Sequence, residues 1–472
     1  MATLGLLVLL PYVTPGLARV RGLDRLRLLS PLGPGQGLML AAAPADDAPR
    51  VGEVELRAPA AEQSERLALP ETVSLPAEAA ALFGSRTDRE RSPRAIEDPS
   101  GHALDSFFQA LGRVERQEPG AIGRICFWGD SNVAGDLVSG VLRRKMQAHF
   151  GDAGHGFVLL AGPTEWDFAN DVWRFASNAW SISRIPGPLA ADGLYGLGGV
   201  SFRARGAAAY ARVATAKSGS LGRNVSRFVV DYLEYPEGAD LEVRIDGQSR
   251  ETLPTHADEP KAVLRSYEVA DGEHELELRA LGTGTRVFGV FLDRDHPGVV
   301  LDALGVTSAK IRHLGRIEPH HFHEQLRWRH PVLMVFNFGV NECREGERQF
   351  GLEEYERTTR EVLSDIRAAL PDSSCLVISP NDIAWKTAKG DRLSNDMVPK
   401  LAASQRKVAA EVGCAFWDMY QAMGGPGAMD KWISRQLGRP DMLHPTAAGA
   451  EVLGNWLYLA LMDRYDEFKA RR

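Results

Sequence analysis

Positive charge is in short supply: 55 Lys and Arg stand against 62 Asp and Glu, a net charge of −7. With no Lys/Arg cluster anywhere, the chain offers no cationic surface for nucleic acid or anionic lipid, so neither partner is expected. Cysteine is scarce too, four in 472 residues, which excludes a small scaffold built on disulfides. Cys126, Cys375 and Cys414 lie in or beside short apolar runs and read as small buried hydrophobes. Cys343, near a polar motif, reads as structural, because no sequence-adjacent His supports a thiolate. Apolar runs long enough to span a bilayer are also absent; Leu6 to Leu10 is far too short. That run resembles the apolar core of a secretory signal, with Ala18 placed for cleavage, although no Lys or Arg precedes it. Residues 1–40 are therefore expected to be a signal or N-terminal segment and the protein to be exported, with a cytoplasmic location as the alternative.

What is present is an apolar fraction of 44% and a charged fraction of 25%, the balance of a soluble globular chain too long for one core. Residues 41–97 are rich in Ala, Pro, Glu, Asp and Arg and poor in aromatics, so they read as a flexible linker. Order is expected from Asp98. Leu104, Phe107, Phe108 and Leu111 recur at helical spacing, and the strand Arg124 to Trp128, apolar from Ile125 onward, feeds a helix that ends at Gly151. A strand apolar on every residue belongs to a parallel sheet covered on both faces. The same alternation returns in "HPVLMVFNFG", a helix over 352–370, "SSCLVISP", "KLAASQRKVAAEVG", "CAFWDM" and a final helix from Pro445. Between these halves, "RFVVDYLEY", "ADLEVRIDG", "VLRSYEVADG", "HELELRALG" and "TRVFGVFLD" are short alternating strands with frequent turns, the texture of an antiparallel sandwich. The expected fold class is α/β, a doubly wound parallel sheet over 98–165 and 298–472, with an all-β module inserted at 166–297.

Within that frame, "FWGDSNVAGD" places Ser131 directly after the first strand. Gly-Asp-Ser alone is weak, since it arises by chance in roughly one chain in ten of this length. Two further motifs add weight. "NFGVNE" puts Asn341 after another strand, and "DMLHPT" puts Asp441 and His444 three residues apart ahead of the last helix. Ligands of open parallel sheets gather beyond the carboxyl ends of the strands, where Ser131 and Asn341 fall and which the Asp-His loop can reach. A serine hydroxyl needs a base, His444. The base needs a carboxylate to fix its tautomer, Asp441. An oxyanion needs preorganised donors, which the Asn341 amide and the Ser131 N–H supply.

These motifs resemble the SGNH (GDSL-type) hydrolases: "GDS" the first block, "GVNE" the third and "DMLHPT" the fifth. The resemblance implies a flavodoxin-like three-layer fold, catalysis by Ser131, Asp441 and His444, and an oxyanion hole from Ser131, Asn341 and a second-block glycine. Gly305 in "LDALGVTSA" is the favoured glycine, with Gly198 and Gly199 in "YGLGGVSF" the rivals. The inserted module, "FGDAGHGFVLL" and "FWDMYQAMGGPGAMDKW" look like the peptidoglycan O-acetylesterase branch, whose insertion resembles a carbohydrate-binding module. Glu342 stands where many relatives have Asp, and Asn132 where His is frequent in that branch; both departures bear on substrate preference. The resemblance implies no metal or organic cofactor and an acetylated glycan as substrate.

Two other patterns compete for attention. His320, His321, His323 and His330 suggest a metal site but are read as a solvated helix face, because adjacent residues point apart on a helix. Trp166, Trp173 and Trp180 recur at every seventh position, as core or as a sugar-stacking surface. The expected activity is removal of O-acetyl groups from a carbohydrate, above all peptidoglycan. The rivals are a sugar O-acetyltransferase on the same site, a non-catalytic glycan-binding protein, and a lipase or thioesterase.

Overall fold

A computed structural model describes residues 92–345, 351–387 and 390–472. The expected N-terminal segment and most of the expected linker lie outside the described residues. Five strands form a parallel sheet: β1 (Ile122–Gly129), β2 (Gly298–Gly305), β3 (Leu333–Asn337), β4 (Ser374–Ile378) and β5 (Ala415–Trp417), in the order β2-β1-β3-β4-β5. This is the flavodoxin-like strand order, and it places a switch point at β1, between β2 and β3. The apolar run of β1 now has its reason. Ile125 and Phe127 face one core and Cys126 and Trp128 the other, so no position is free for a polar residue.

The first core is closed by α1 (Asp105–Glu115), α3 (Val138–Phe150) and α8 (Ala447–Ala470), with α2 (Ser131–Ala134) as the short turn of helix between β1 and α3. The second lies under α4 (Pro319–Arg329), α6 (Leu352–Ala369) and α7 (Met397–Glu411); α5 (Val340–Glu345) follows β3. Ile96 is buried and Glu97 exchanges two backbone hydrogen bonds with Phe416 of the edge strand β5, so order begins just ahead of Asp98. That pairing covers an exposed sheet edge.

The all-β region lies between α3 and β2, in two antiparallel sheets whose inner residues, among them Phe202, Val230, Val213 and Leu278, share one core. That core is continuous with the second core of the parallel sheet. Gly154–Val158, ahead of Trp166, already pairs with Thr283–Asp293 of this region. The junction is welded by a buried ion cluster. Arg329 of α4 donates to both oxygens of Asp293, at 2.6 and 3.0 Å, and to both oxygens of Asp302 in β2, at 2.6 and 2.8 Å. Asp302 also accepts from the Phe157 N–H at 2.8 Å.

Three expectations need correction. Cys375 and Cys414 are not free hydrophobes: they form a disulfide with Cα atoms 4.7 Å apart. The cause is register, since β4 pairs with β5 from Leu376 opposite Ala415, which sets the preceding residues side by side. The histidine cluster is a solvated face only in part: His320 and His330 are exposed, the other two are not. His321 is buried with Nε2 2.7 Å from the Tyr195 carbonyl, and His323 meets Asp365 at 2.9 Å, because α4 packs between the two modules. Among the described residues no group of three or more His, Cys, Asp or Glu is arranged to hold a metal ion. Pro445 precedes rather than opens α8, whose N-cap is Thr446.

Arg329→Met removes the guanidinium that pairs both buried carboxylates, leaving Asp302 without an ion pair among the described residues and Asp293 with Arg227 at 3.6 Å, and should cost about 3–5 kcal/mol in urea unfolding. Reducing the 39-residue-separated Cys375–Cys414 bond should lower stability by up to about 4 kcal/mol, read as a drop in urea midpoint on adding dithiothreitol.

Candidate active site

Two glycines let the turn that carries Ser131 sit down on the sheet. Gly129 and Gly305 lie opposite each other in the β1–β2 register. A Cβ on Gly129 would come 2.3 Å from Val133 Cγ2 and 2.7 Å from the Asn337 carbonyl oxygen; one on Gly305 would come 2.0 Å from the Ala134 nitrogen. Only hydrogen fits at either place, so α2 rests directly on the strand ends. The chain turns into α2 at Asp130, whose carboxylate accepts from the Asn132 N–H at 3.1 Å as a helix N-cap. Burial pushes the Asp130 pKa up to about 6, against the lowering effects of the Asn132 N–H and of His444. Ser131 is the first residue of α2, where a backbone N–H has no acceptor inside the helix.

The structure brings Ser131, His444 and Asp441 into one line. Ser131 Oγ and His444 Nε2 are 2.8 Å apart across 313 residues of chain. His444 Nδ1 lies 2.8 Å from Asp441 Oδ2. Asp441 Oδ1 accepts from the Leu443 and His444 N–H groups at 2.9 and 3.1 Å. Burial acts to raise the Asp441 pKa, but the His444 ring and these two N–H groups outweigh it and hold the carboxyl below its ordinary value. An ionised Asp441 fixes the tautomer with hydrogen on Nδ1, which leaves the Nε2 lone pair to accept the Ser131 proton. Ser131 and His444 are both nearly buried, 5% and 7% exposed, so little water screens the pair.

Asn341, second residue of α5, donates from Nδ2 to the Ala309 carbonyl at 2.9 Å. That bond fixes the amide plane and leaves its second N–H. Gly305 is held beneath α2 by the contacts already described. The rivals Gly198 and Gly199 are packing glycines of the all-β region, where a Cβ would strike Phe157 and Ile185 respectively.

Sequence reasoning missed two participants. Trp166 stacks on the His444 ring with centroids 4.4 Å apart, and the Arg439 guanidinium lies 4.5 Å from the Trp166 ring centre. The seven-residue regularity is no single stripe: Trp180 is fully buried, and Trp173 is half-buried with Lys217 over its ring. The second is Asn381, in the loop after β4. It accepts from Asn132 Nδ2 at 2.9 Å and donates to the Leu443 carbonyl at 2.9 Å, tying the residue after Ser131 to the residue before His444. The two family departures are thus interior: Asn132 faces Asn381, and Glu342 is buried with Oε1 accepting from the Ile311 N–H at 2.9 Å. Burial pushes the Glu342 pKa up to about 7.

Comparison with known proteins gives three findings. Residues 271–452 match the GDSL-like Lipase/Acylhydrolase family. Ser131 precedes the matched span, as expected when a long all-β region separates the first block from the others. No curated protein matches the sequence. Among solved structures, one described as a peptidoglycan O-acetylesterase in action shares the fold with a TM-score of 0.66, at 19% identity over 79% of this chain and 99% of that one. An acetyl xylan esterase gives a TM-score of 0.28 at 15% identity, covering 34% and 80% of the two chains. An active-site mutant of a family two carbohydrate esterase from Clostridium thermocellum gives 0.25 at 11% identity, covering 54% and 91%. These two scores are too low to bear on the argument. The chain carries a domain of the GDSL-like lipase/acylhydrolase family and is a carboxylic ester hydrolase.

Proposed function

We propose that the protein is a serine esterase that removes O-acetyl groups from a carbohydrate, with peptidoglycan as the foremost substrate. The observation that carries this reading is the hydrogen-bonded line from Ser131 through His444 to Asp441 at the carboxyl ends of the strands. In this mechanism His444 Nε2 takes the Ser131 proton as Oγ attacks the acetyl carbonyl. The charge that builds on oxygen is met by the Ser131 N–H, the Gly305 N–H and the Asn341 amide. His444 then gives its proton to the departing sugar hydroxyl, and water, activated by the same imidazole, releases acetate from Ser131. Asp441 holds the ring's tautomer and balances the imidazolium, while Trp166 supports one ring face.

The carbohydrate assignment draws on the fold shared with the solved peptidoglycan O-acetylesterase and on the all-β region docked against the hydrolase core. We place the protein outside the reducing cytoplasm, in the cell envelope. Support for that location comes from the Cys375–Cys414 disulfide, a bond that persists in oxidising compartments.

Ser131→Ala should lower kcat on p-nitrophenyl acetate by about a thousandfold or more; full activity in that variant would remove the nucleophile from the mechanism. Acetate release from O-acetylated peptidoglycan should exceed release from acetylated xylan, and the reverse order would move the substrate to plant glycans. Asn381→Ala should cost about tenfold in kcat with KM little changed, because it loosens the angle between nucleophile and base without touching bound sugar.

A further inference from the structure

A cavity of about 660 Å³ lies beside the proposed catalytic line and shares Asp441 with it. Its lining includes the end of α5 at Cys343–Glu345, two residues past Asn341, and Asp441–Leu443, ending just before His444. The two segments that carry the oxyanion amide and the base therefore also flank this space. Its volume falls within the range of about 300–1,000 Å³ usual for ligand sites.

The lining has a distinct chemistry. A short hairpin of Ala384–Lys386 paired with Arg392–Ser394 brings Trp385 and Lys386 to the cavity. Trp385 is 45% exposed, an indole left unburied at a concave surface. The acids that line the cavity are each engaged already: Asp441 by His444, Glu345 by Lys310 and Arg312, and Asp396 by Lys400 at 3.9 Å. The cations are not. Arg344 and Lys386 are exposed and form no ion pair among the described residues. The cavity thus presents an open aromatic face and two uncommitted positive charges next to acids that already have partners. Such a lining suits a ring with apolar C–H faces that carries a carboxylate.

Building on the esterase reading above, we propose that this cavity is a subsite for an acidic saccharide, in which Trp385 stacks on a sugar ring and Arg344 and Lys386 hold a sugar-borne carboxylate. The deacetylated position then belongs to a residue of the same glycan, next to one that bears an acid group.

The test uses Ser131→Ala protein and two disaccharides that differ in the carboxylate: N-acetylglucosaminyl-N-acetylmuramic acid, which has a lactyl acid, and neutral diacetylchitobiose. Isothermal titration should show the acidic disaccharide binding about tenfold more tightly. Combining Arg344→Gln and Lys386→Gln should erase that preference, whereas Trp385→Ala should weaken both ligands. The Arg344→Gln/Lys386→Gln protein should keep the parent's urea midpoint, which reports an intact fold. Equal binding of the two disaccharides, binding of neither, or a preference that survives the double substitution would overturn the subsite. Failure of the esterase reading is seen separately, as wild-type protein that releases no acetate from acetylated glycans.

Discussion

The site rests on the approach of Ser131 Oγ to His444 Nε2, and that hydrogen bond cannot enforce its own geometry. A single bond of this kind contributes about 1 kcal/mol net, far less than the entropy of ordering two loops 313 residues apart in sequence. The positions must be set elsewhere, and the structure shows where. On one side the Gly129 and Gly305 pair lets α2 descend onto the strand ends. On the other, the His444 loop is tied at nearly every residue. The Arg439 N–H bonds the His444 carbonyl, the Thr446 N–H bonds the Leu437 carbonyl, and the Ala384 N–H bonds the Met442 carbonyl. Asn381 then spans the two sides. The reacting pair meets because each member is over-determined by its own backbone, which is what preorganisation means in physical terms.

The all-β region contributes to this by being docked, not tethered. Its core runs into the second core of the parallel sheet, and Arg329 joins the last strand of the region to β2 through buried carboxylates. A desolvated ion cluster of this kind adds little net stability against an apolar replacement, yet it tolerates few other arrangements of its partners. The segment that leads into the region reaches the site. The Phe168 N–H bonds the Ala134 carbonyl at the end of α2, Thr164 meets Thr307 just beyond Gly305, and Trp166 between them covers the His444 ring. The insertion point is thus part of the active-site wall.

How much of this was legible depends on the range of the interaction concerned. The apolar run Ile125–Trp128 of β1 declared a two-sided sheet, and "GDS" and "DMLHPT" pointed to Ser131, Asp441 and His444 as a candidate set, because each of those signals is contained within a few residues. The Cys375–Cys414 bond was illegible for the opposite reason: it follows from β4 and β5 being parallel neighbours, a fact of strand order. Asn381 carries no motif, and its role exists only through partners at 132 and 443. The spacing of Trp166, Trp173 and Trp180 suggested one shared stripe, whereas the three rings have separate surroundings, Trp166 against His444. The histidine cluster, read as solvated, is so only at His320 and His330, since the contact of His321 with the Tyr195 carbonyl depends on how α4 packs.

Burying Asp130 and Glu342 behind the catalytic line carries a cost that the local structure explains. Their pKa values, pushed up to about 6 and 7, lie above those of unfolded carboxylates. As pH rises from about 4 to 7 the unfolded chain ionises these groups more readily than the folded one, so their effect on stability turns unfavourable across that window. Each is kept in place by a turn at a strand end: Asp130 caps the helix that starts with Ser131, and Glu342 holds the Ile311 N–H to the helix that bears Asn341. One carboxylate fixes the segment after β1, and the other joins the segments after β2 and β3. The stability surrendered toward neutral pH is what keeps the three strand-end turns that carry Ser131, Gly305 and Asn341 in a single arrangement.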